Sequence, residues 1–315
     1  MIKARGSRLR SVSLSVSLSA AALFPSACSG SVPSSFGDAS TPTPADSGKG
    51  TPPPHMSPDA GSTKLVGSDA GMPTSADGST NDCPPSAKLI YVTGSSNDLY
   101  SYAPETAQFT LVGTFDCLEG PTHMTVDRQG TAWVVANSLL YTASTSTAHC
   151  TAVPNWTAGV GEFVDFSLTF VGTTGVDNTL YVVDDSGRLA SFDTVSGART
   201  LITSLSGLSS ALGDMTSNGD GHLYFIHDVA AQTLYEITPT TGAIVTSWVT
   251  GETGGSSEAL AYYGGLFYDF LDSDVFTFDP TTKVATSIGT APLEVTGAGQ
   301  STCVPTSAPP PAPIK

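Results

Sequence analysis

The chain has 315 residues, enough for two average domains, but its composition restricts folding to the central part. The stretch from Ser29 to Asp82 consists mainly of Ser, Thr, Pro, Gly and Ala, and a short Pro-rich tail follows Val304. With 12 basic and 28 acidic residues, the net charge is −16. A surface of this sign repels phosphate backbones and anionic head groups, so the charge excludes a nucleic-acid partner.

The first 28 residues have the pattern of an export signal. Four basic residues within Met1–Arg10 precede an apolar run, Val12–Phe24, which is too short to span a bilayer as a helix. The run ends at Pro25-Ser-Ala-Cys28, which resembles the lipobox of bacterial lipoproteins, with Pro25 in place of the usual Leu. The resemblance implies that Cys28 is acylated, that the lipid is the one membrane attachment, and that the protein is exported to the outer membrane or cell surface. The alternative is ordinary cleavage after Ala27, which predicts a periplasmic or secreted protein.

The rest of the chain divides into three parts by composition. Residues 29–82 have too few apolar side chains to offset the entropy of ordering, so they are predicted to form a disordered tether. Residues 83–304 are predicted to form one all-β domain, because a single such domain can use all of them. Residues 305–315 are predicted to be a disordered Pro-rich tail.

Internal repetition is the strongest signal in the central part. A strand with alternating apolar residues that runs into a polar turn recurs as Asp98–Thr106, Arg188–Gly197, Thr233–Gly242 and Asp274–Lys283, with a degraded copy at Ser138–Thr142. A further strand precedes each copy, at Lys88–Val92, Thr131–Val135, Thr179–Val183, His222–Ile226 and Gly265–Asp269. Another follows most copies, at Phe109–Val112, Arg199–Ile202, Ala243–Thr246 and Val284–Ser287. Four units also have an opening strand, at His123–Val126, Phe166–Phe170, Asp214–Ser217 and Glu258–Tyr262.

Four strands in roughly 40–48 residues are typical of one blade of a β-propeller. The first unit lacks an opening strand, whereas the chain ends with a surplus one, Val295–Cys303. Placing the surplus strand in the first blade closes a ring of five blades. Six blades are the alternative, if Thr142–Glu162 contains a poor sixth unit. A β-sandwich accounts for neither the repeat length nor the orphan strand, and the lack of helix-period segments excludes α/β enzyme folds.

The cysteines agree with this closure. In an exported chain whose Cys28 is acylated, the other four cysteines are expected to form disulfides, for which three pairings exist. We favour Cys83–Cys303, which ties the ends of the folded region together, and Cys117–Cys150, which links neighbouring units.

With these features in view, the chain resembles a group of myxobacterial secreted lipoproteins that carry low-complexity spacers and NHL- or YVTN-like propellers. The resemblance is carried by the end at Cys28, the Ser/Pro/Asp-Ala-Gly spacer, and the segments Thr179–Leu189 and Val295–Pro305. It covers nearly the whole chain and implies fold and export, but no chemistry.

A search for catalytic motifs finds no G-x-S-x-G, HExxH, phosphate loop, C-x-x-C or haem-attachment sequence. Aligning the blades by their second strands does place His123, Asp165, Asp214 and Glu258 at the starts of channel-lining strands. Three carboxylates and an imidazole around one mouth would suit a divalent cation such as calcium. Propeller lactonases of the gluconolactonase type hold a metal in such a channel. The alternative is that these acidic residues only solvate the mouth.

Two other features have a structural and a functional interpretation. Asp127–Gly130 and Asp184–Gly187 could bind calcium, but tight turns between strands are the favoured interpretation. The rings of Trp156, Tyr262 and Tyr263 could form a platform for a sugar, but packing inside the fold is favoured.

The sequence therefore predicts a monomeric, non-enzymatic binding or scaffold lipoprotein built on a five-bladed propeller, with no cofactor. Its ligand, a protein or a glycan, would be recognised by loops on one rigid face. The alternative function is a metal-dependent, lactonase-like hydrolase that uses the channel carboxylates.

Overall fold

The computed structural model describes residues 83–156, 163–173, 177–208, 213–227, 232–252 and 255–308, all within the compact unit Gly71–Lys315. The predicted signal, the tether and Cys28 lie outside these residues, as does the chain from position 309 onward. One 3-10 turn, Pro85–Lys88, is the single helical segment in the described ranges, so no helix there can cross a bilayer.

Twenty β-strands form five antiparallel sheets of four strands each, and each sheet is one blade. Blade 1 contains β1 (Ile90–Gly94), β2 (Asp98–Ala103), β3 (Gln108–Thr114) and the C-terminal β20 (Val295–Gly299). Blade 2 contains β4 (Pro121–Val126), β5 (Thr131–Ala136), β6 (Leu139–Ser144) and β7 (Cys150–Ala152). Blade 3 contains β8 (Ser167–Thr173), β9 (Asp177–Val183), β10 (Arg188–Phe192) and β11 (Arg199–Ser204). Blade 4 contains β12 (Gly213–Ser217), β13 (Leu223–His227), β14 (Thr233–Thr238) and β15 (Ala243–Val249). Blade 5 contains β16 (Glu258–Tyr263), β17 (Leu266–Leu271), β18 (Asp274–Asp279) and β19 (Val284–Thr290).

The inner strands β4, β8, β12, β16 and β20 lie side by side in a closed ring around the axis. This arrangement confirms the predicted five-bladed β-propeller. The stretch that was considered for a sixth blade supplies instead the short fourth strand of blade 2, β7, as far as the described residues show.

Closure of the ring depends on β20, which pairs antiparallel with β1 through contacts such as Val92↔Ala298. Two glycines let β20 lie close to β4 of the next blade. A Cβ at Gly299 would come within 2.4 Å of the Met124 carbonyl oxygen, and one at Gly297 within 3.0 Å of the His123 Cα. The disulfide Cys83–Cys303 then joins the two ends of the ring. Both the surplus-strand prediction and the predicted disulfide pairs, including Cys117–Cys150, are confirmed.

The core is divided into clusters that lie between neighbouring blades. Because alternate side chains of a strand point to opposite faces, the second strands of blades 1 to 4 each contribute to two clusters, and β13 is buried along its whole length. The aromatic side chains of β17 in blade 5 all belong to the one cluster that extends from blade 4 to blade 1. Trp133 of blade 2 meets Phe170 of blade 3 edge-on, with ring centroids 5.8 Å apart. Aromatic pairs of this geometry add to area burial in holding blades together.

The Asp-x-x-Gly segments are turns between the first and second strands. The Oδ1 atom of Asp127 accepts hydrogen bonds from the backbone N–H groups of Gln129 and Thr131, at 3.0 and 2.8 Å. Gly130 completes this turn with a φ of +81°, a value that favours glycine. Asp184 makes the same pair of bonds in blade 3, so the turn interpretation holds for both segments.

The two disulfides are expected to stabilise the ring unequally. Replacing both Cys83 and Cys303 by Ser should lower the free energy of unfolding more than the same double change at Cys117 and Cys150, because the bonds close segments of 220 and 33 residues. The chain-entropy model puts the difference at about 2 kcal/mol. Urea unfolding of the two double variants measures it, and equal losses would contradict the expectation.

Candidate functional site

The predicted channel residues lie where the inner strands begin. His123 and Asp214 are buried in β4 and β12, with 9% and 0% of their surfaces exposed. Glu258 is the half-buried first residue of β16, and Asp165 lies in an exposed position before β8. All four residues lie at or near the start of an inner strand, but their side chains differ in their surroundings.

His123 and Asp214 contact each other across the channel. The Nδ1 atom of His123 lies 3.1 Å from Oδ1 of Asp214, although their blades, 2 and 4, are not neighbours in the ring. The second oxygen of Asp214 accepts a hydrogen bond of 2.9 Å from the backbone N–H of Leu260 in blade 5. One buried carboxylate thus connects three blades at the upper end of the channel, the end where the inner strands begin.

The other two carboxylates have partners away from this pair. Gln232 Nε2 donates to Glu258 Oε1 at 2.6 Å, and Gln232 Oε1 accepts from Thr250 Oγ1 at 2.6 Å. Asp165 accepts a hydrogen bond of 3.1 Å from Ser138 Oγ.

The predicted metal set does not converge in the described residues. The one group there of three or more His, Cys, Asp or Glu with ligand atoms within 4.8 Å of one another is Asp116, Cys117 and Cys150. Those two cysteines are joined in a disulfide, so they offer no thiolate. Calcium takes six to eight oxygen ligands, and the channel brings together one imidazole and one carboxylate. The cation at His123, Asp165, Asp214 and Glu258 stays a prediction.

Sequence reasoning missed Gln300, which fills the lower part of the channel and is 2% exposed. Its Nε2 atom donates to Thr216 Oγ1 and to the Ser217 carbonyl oxygen, both at 2.7 Å. Its Oε1 atom accepts from the Tyr262 N–H at 3.1 Å, and its carbonyl oxygen accepts from the Val126 N–H at 3.4 Å. The available signal was a single amide side chain that follows the Gly- and Ala-rich closing strand.

The segment after Gln300 continues under blade 5. The carbonyl oxygen of Pro305 accepts a hydrogen bond of 2.8 Å from the Gly264 N–H. Tyr262 Oη donates to the Thr306 carbonyl oxygen at 2.8 Å. Two residues of the predicted tail are therefore bonded to an inner strand and to the turn that follows it.

The candidate aromatic platform is packed inside the fold. Trp156, Tyr262 and Tyr263 are all buried, which agrees with the favoured packing interpretation. Tyr263 Oη donates to Glu105 Oε1 at 3.0 Å. Burial, together with this carboxylate, raises the pKa of Tyr263 to about 12. The hydroxyl therefore stays protonated at neutral pH and cannot act as a base there.

We call His123, Asp214, Gln300 and their hydrogen-bond partners Thr216, Ser217 and Tyr262 the axial network. Its polar atoms bond to one another and to free edges of inner strands, across blades 2, 4 and 5. The backbone groups at these edges have no neighbouring strand on the channel side, so the network satisfies donors that would otherwise be buried without partners.

Two polar grooves lie away from the axis, one on blade 2 and one on blade 3. The blade-2 groove has a volume of about 450 Å³ and is lined mainly by hydroxyl side chains. The blade-3 groove, of about 340 Å³, occupies the corresponding place, between the start of the second strand and the turn that joins the third and fourth strands.

Comparison with known proteins adds little to this geometry. No protein-family model matches the chain, and no curated protein shows significant similarity to it. A chain in the crystal structure of a nidogen/laminin complex is similar with a TM-score of 0.44 and 14% identity, over 68% of this chain and 80% of that one. A structural genomics protein of unknown function from Bacteroides thetaiotaomicron VPI-5482 is similar with a TM-score of 0.45 and 13% identity, over 68% of this chain and 64% of that one. At these values the likenesses carry no argument about function, and the fold rests on the sheet topology described above.

The axial network is expected to stabilise the ring. Replacing Asp214 by Asn should lower the free energy of unfolding by about 1–3 kcal/mol, because the amide has one acceptor oxygen in place of two, and its NH2 group must face either Nδ1 of His123 or the buried Leu260 N–H. Asp274→Asn, on an exposed carboxylate of β18, is the control and should have little effect. Chemical denaturation of the two variants compares them, and an equal effect would show that Asp214 has no such role.

Proposed function

We propose that this protein is a non-enzymatic binding or scaffold module, held outside the cytoplasm by a lipid on Cys28. The observation that carries the proposal is the pairing of the channel's polar groups with one another across the axis. A hydrolase needs a nucleophile, or a metal with an open coordination position, presented to its substrate. His123, Asp214 and Gln300 are buried and bonded within the axial network instead.

The rigidity of the ring supports a role in recognition. Five sheets in a closed circle, with two disulfides, form the scaffold from which the loops extend. Loops on a rigid scaffold are where binding residues concentrate. Because a propeller can host many unrelated activities, the fold itself does not choose the ligand.

The charge of the chain narrows the choice of ligand. With 28 acidic and 12 basic residues, the protein repels other anions over a distance of about 8 Å at physiological salt. A neutral or basic ligand, such as a neutral glycan or a basic protein surface, fits this charge.

A combined binding and activity assay tests the proposal against the lactonase-like alternative. The full-length protein is applied to arrays of glycans and of purified envelope proteins, with and without EDTA, and is assayed for hydrolysis of aliphatic γ- and δ-lactones with calcium, zinc or manganese present. We expect saturable binding that EDTA leaves unchanged, and no lactone hydrolysis.

The opposite result would be lactone hydrolysis that requires a divalent cation and is lost in both His123→Gln and Asp214→Asn. Circular dichroism at the assay temperature confirms that both variants are folded. That result would replace the binding module by the hydrolase.

Lipid attachment is tested separately, because Cys28 lies outside the described residues. Expression in a bacterial host with radiolabelled palmitate should label the native chain and leave Cys28→Ser unlabelled, since a hydroxyl cannot replace the thiol in thioether formation. The labelled protein should sediment with membranes. Mass spectrometry of an unmodified N-terminus at Cys28 would instead support ordinary cleavage after Ala27 and a periplasmic or secreted protein.

A further inference from the structure

The blade-2 groove is lined mainly by uncharged polar side chains, although the chain as a whole is acidic. Its hydroxyl groups come from Thr131, Thr142, Ser144, Thr145, Ser146 and Thr151, and Ser86, Gln129 and His149 complete the polar lining. Among the described residues that line the groove there is no Asp, Glu, Lys or Arg, although the chain has 28 acidic residues. A ligand that fits here is uncharged and forms many hydrogen bonds.

The hydroxyl groups retain hydrogen-bonding capacity toward a ligand. Thr142 Oγ1 donates weakly to the Thr151 carbonyl oxygen at 3.5 Å, and the hydroxyls of Ser144 and Ser146 lie 3.0 Å apart. A hydroxyl that donates to the protein still has acceptor lone pairs for a ligand O–H. The groove can therefore exchange hydrogen bonds with a molecule that has many hydroxyls of its own.

The frame of the groove is held in place on two sides. The Cys117–Cys150 disulfide fixes the start of β7, next to His149. Nδ1 of His149 lies 2.6 Å from Asp116 Oδ2. This contact and the Cys150 N–H lower the pKa of Asp116. Both side chains are largely exposed, at 71% and 55%, so the contact orients the ring by Nδ1 but adds little stability. Nε2 is the ring nitrogen left for a ligand.

The opposite wall depends on Gly130. Its φ of +81° favours glycine, and a Cβ at this position would also displace the Ser86 hydroxyl, whose Oγ lies 2.3 Å away.

Comparison with the equivalent groove on blade 3 identifies the residues that are specific to the blade-2 groove. The two blades match position by position: Thr142↔Thr151 in one corresponds to Ser191↔Thr200 in the other. The backbone hydrogen bonds of the turns also correspond. The backbone of Ser144 bonds to that of Ala148 and His149, and the backbone of Asp193 bonds in the same way to that of Gly197 and Ala198.

Two exchanges separate the grooves. Blade 3 has the carboxylate Asp193 where blade 2 has Ser144, and it has Phe192 where blade 2 has Ala143. Backbone N–H groups of Ser196 and Val195 lower the pKa of Asp193, which keeps the blade-3 groove charged. The two blades thus have equivalent grooves, and the groove of blade 2 has the larger volume and no carboxylate among its described lining residues.

We propose that the blade-2 groove binds a neutral carbohydrate, such as the terminal rings of an uncharged oligosaccharide. The proposal rests on the proposed binding function and names the class of ligand. A volume of about 450 Å³ lies in the range of small-molecule sites, roughly 300–1,000 Å³. A glycan offers the matching combination of no charge and dense hydroxyl groups.

The test uses the full-length protein and an array of neutral and anionic oligosaccharides built from glucose, galactose, mannose and N-acetylhexosamines. Calorimetry then measures the affinity of the best neutral probe. We expect saturable binding of a neutral probe and weaker binding of its anionic counterparts. Thr142→Val should weaken binding about 3- to 10-fold, because it removes one hydrogen-bonding group and keeps the β-branched shape.

Ser144→Asp tests the same groove in a different way. It installs the carboxylate that blade 3 already accommodates, so the fold tolerates it, and it should weaken the binding of the neutral probe by narrowing the groove. Thr277→Val is the matched control. Thr277 occupies the equivalent register position in blade 5, opposite Thr286, and makes the same 3.5 Å bond to its carbonyl oxygen, but lies outside the groove.

Each outcome decides the proposal. A neutral sugar whose affinity is unchanged in Thr142→Val and Ser144→Asp would overturn the groove as its site and leave the binding module intact. If no neutral sugar binds while a purified envelope protein does, the carbohydrate is wrong and the binding function stands. If the protein hydrolyses lactones and binds none of these probes, both proposals fail together.

Discussion

Pairing between the first and last strands of the folded region is the constraint on which the molecule depends. β20 and β1 are more than two hundred residues apart in the sequence, yet they pair in the same sheet. This pairing gives blade 1 its fourth strand and completes the ring of inner strands. Closing so long a loop costs conformational entropy. Two features next to this pairing offset that cost. The glycines of β20 allow it to pack closely against β4, and the Cys83–Cys303 disulfide links the two ends of the ring.

Once the ring is closed, its inner strands present backbone groups to the axis that no further strand can satisfy. The carboxylate of Asp214 and the amide of Gln300 bond to such backbone groups in other blades. The imidazole of His123 bonds to that carboxylate from blade 2. His123 and Asp214, which the sequence suggests as metal ligands, therefore connect blades to one another. Two grooves of differing charge lie at the periphery instead, beside the turns of blades 2 and 3.

The fold could be predicted in full outline because it depends on local patterns. Alternating strands, Gly-containing turns and a repeat of constant length fix the blades, and a missing first strand together with a surplus last one fixes the closure. The site could not be predicted in the same way. His123 bonds across the channel to blade 4, and Gln300 bonds mainly to backbone atoms, so their partners depend on the curvature of the whole ring. The grooves were missed because isolated Ser and Thr residues on outer strands are common in any β-protein.

The covalent bond between Cys83 and Cys303 also has a mechanical consequence. The preceding chain joins the folded region at Cys83, which is bonded to Cys303, just after the end of β20. A pull on that chain is passed through the disulfide to Cys303, so both ends of the ring carry the load together. For such a pull to separate β1 from β20, the disulfide would have to break. A force on the chain before Cys83 therefore acts on the same bond that closes the ring.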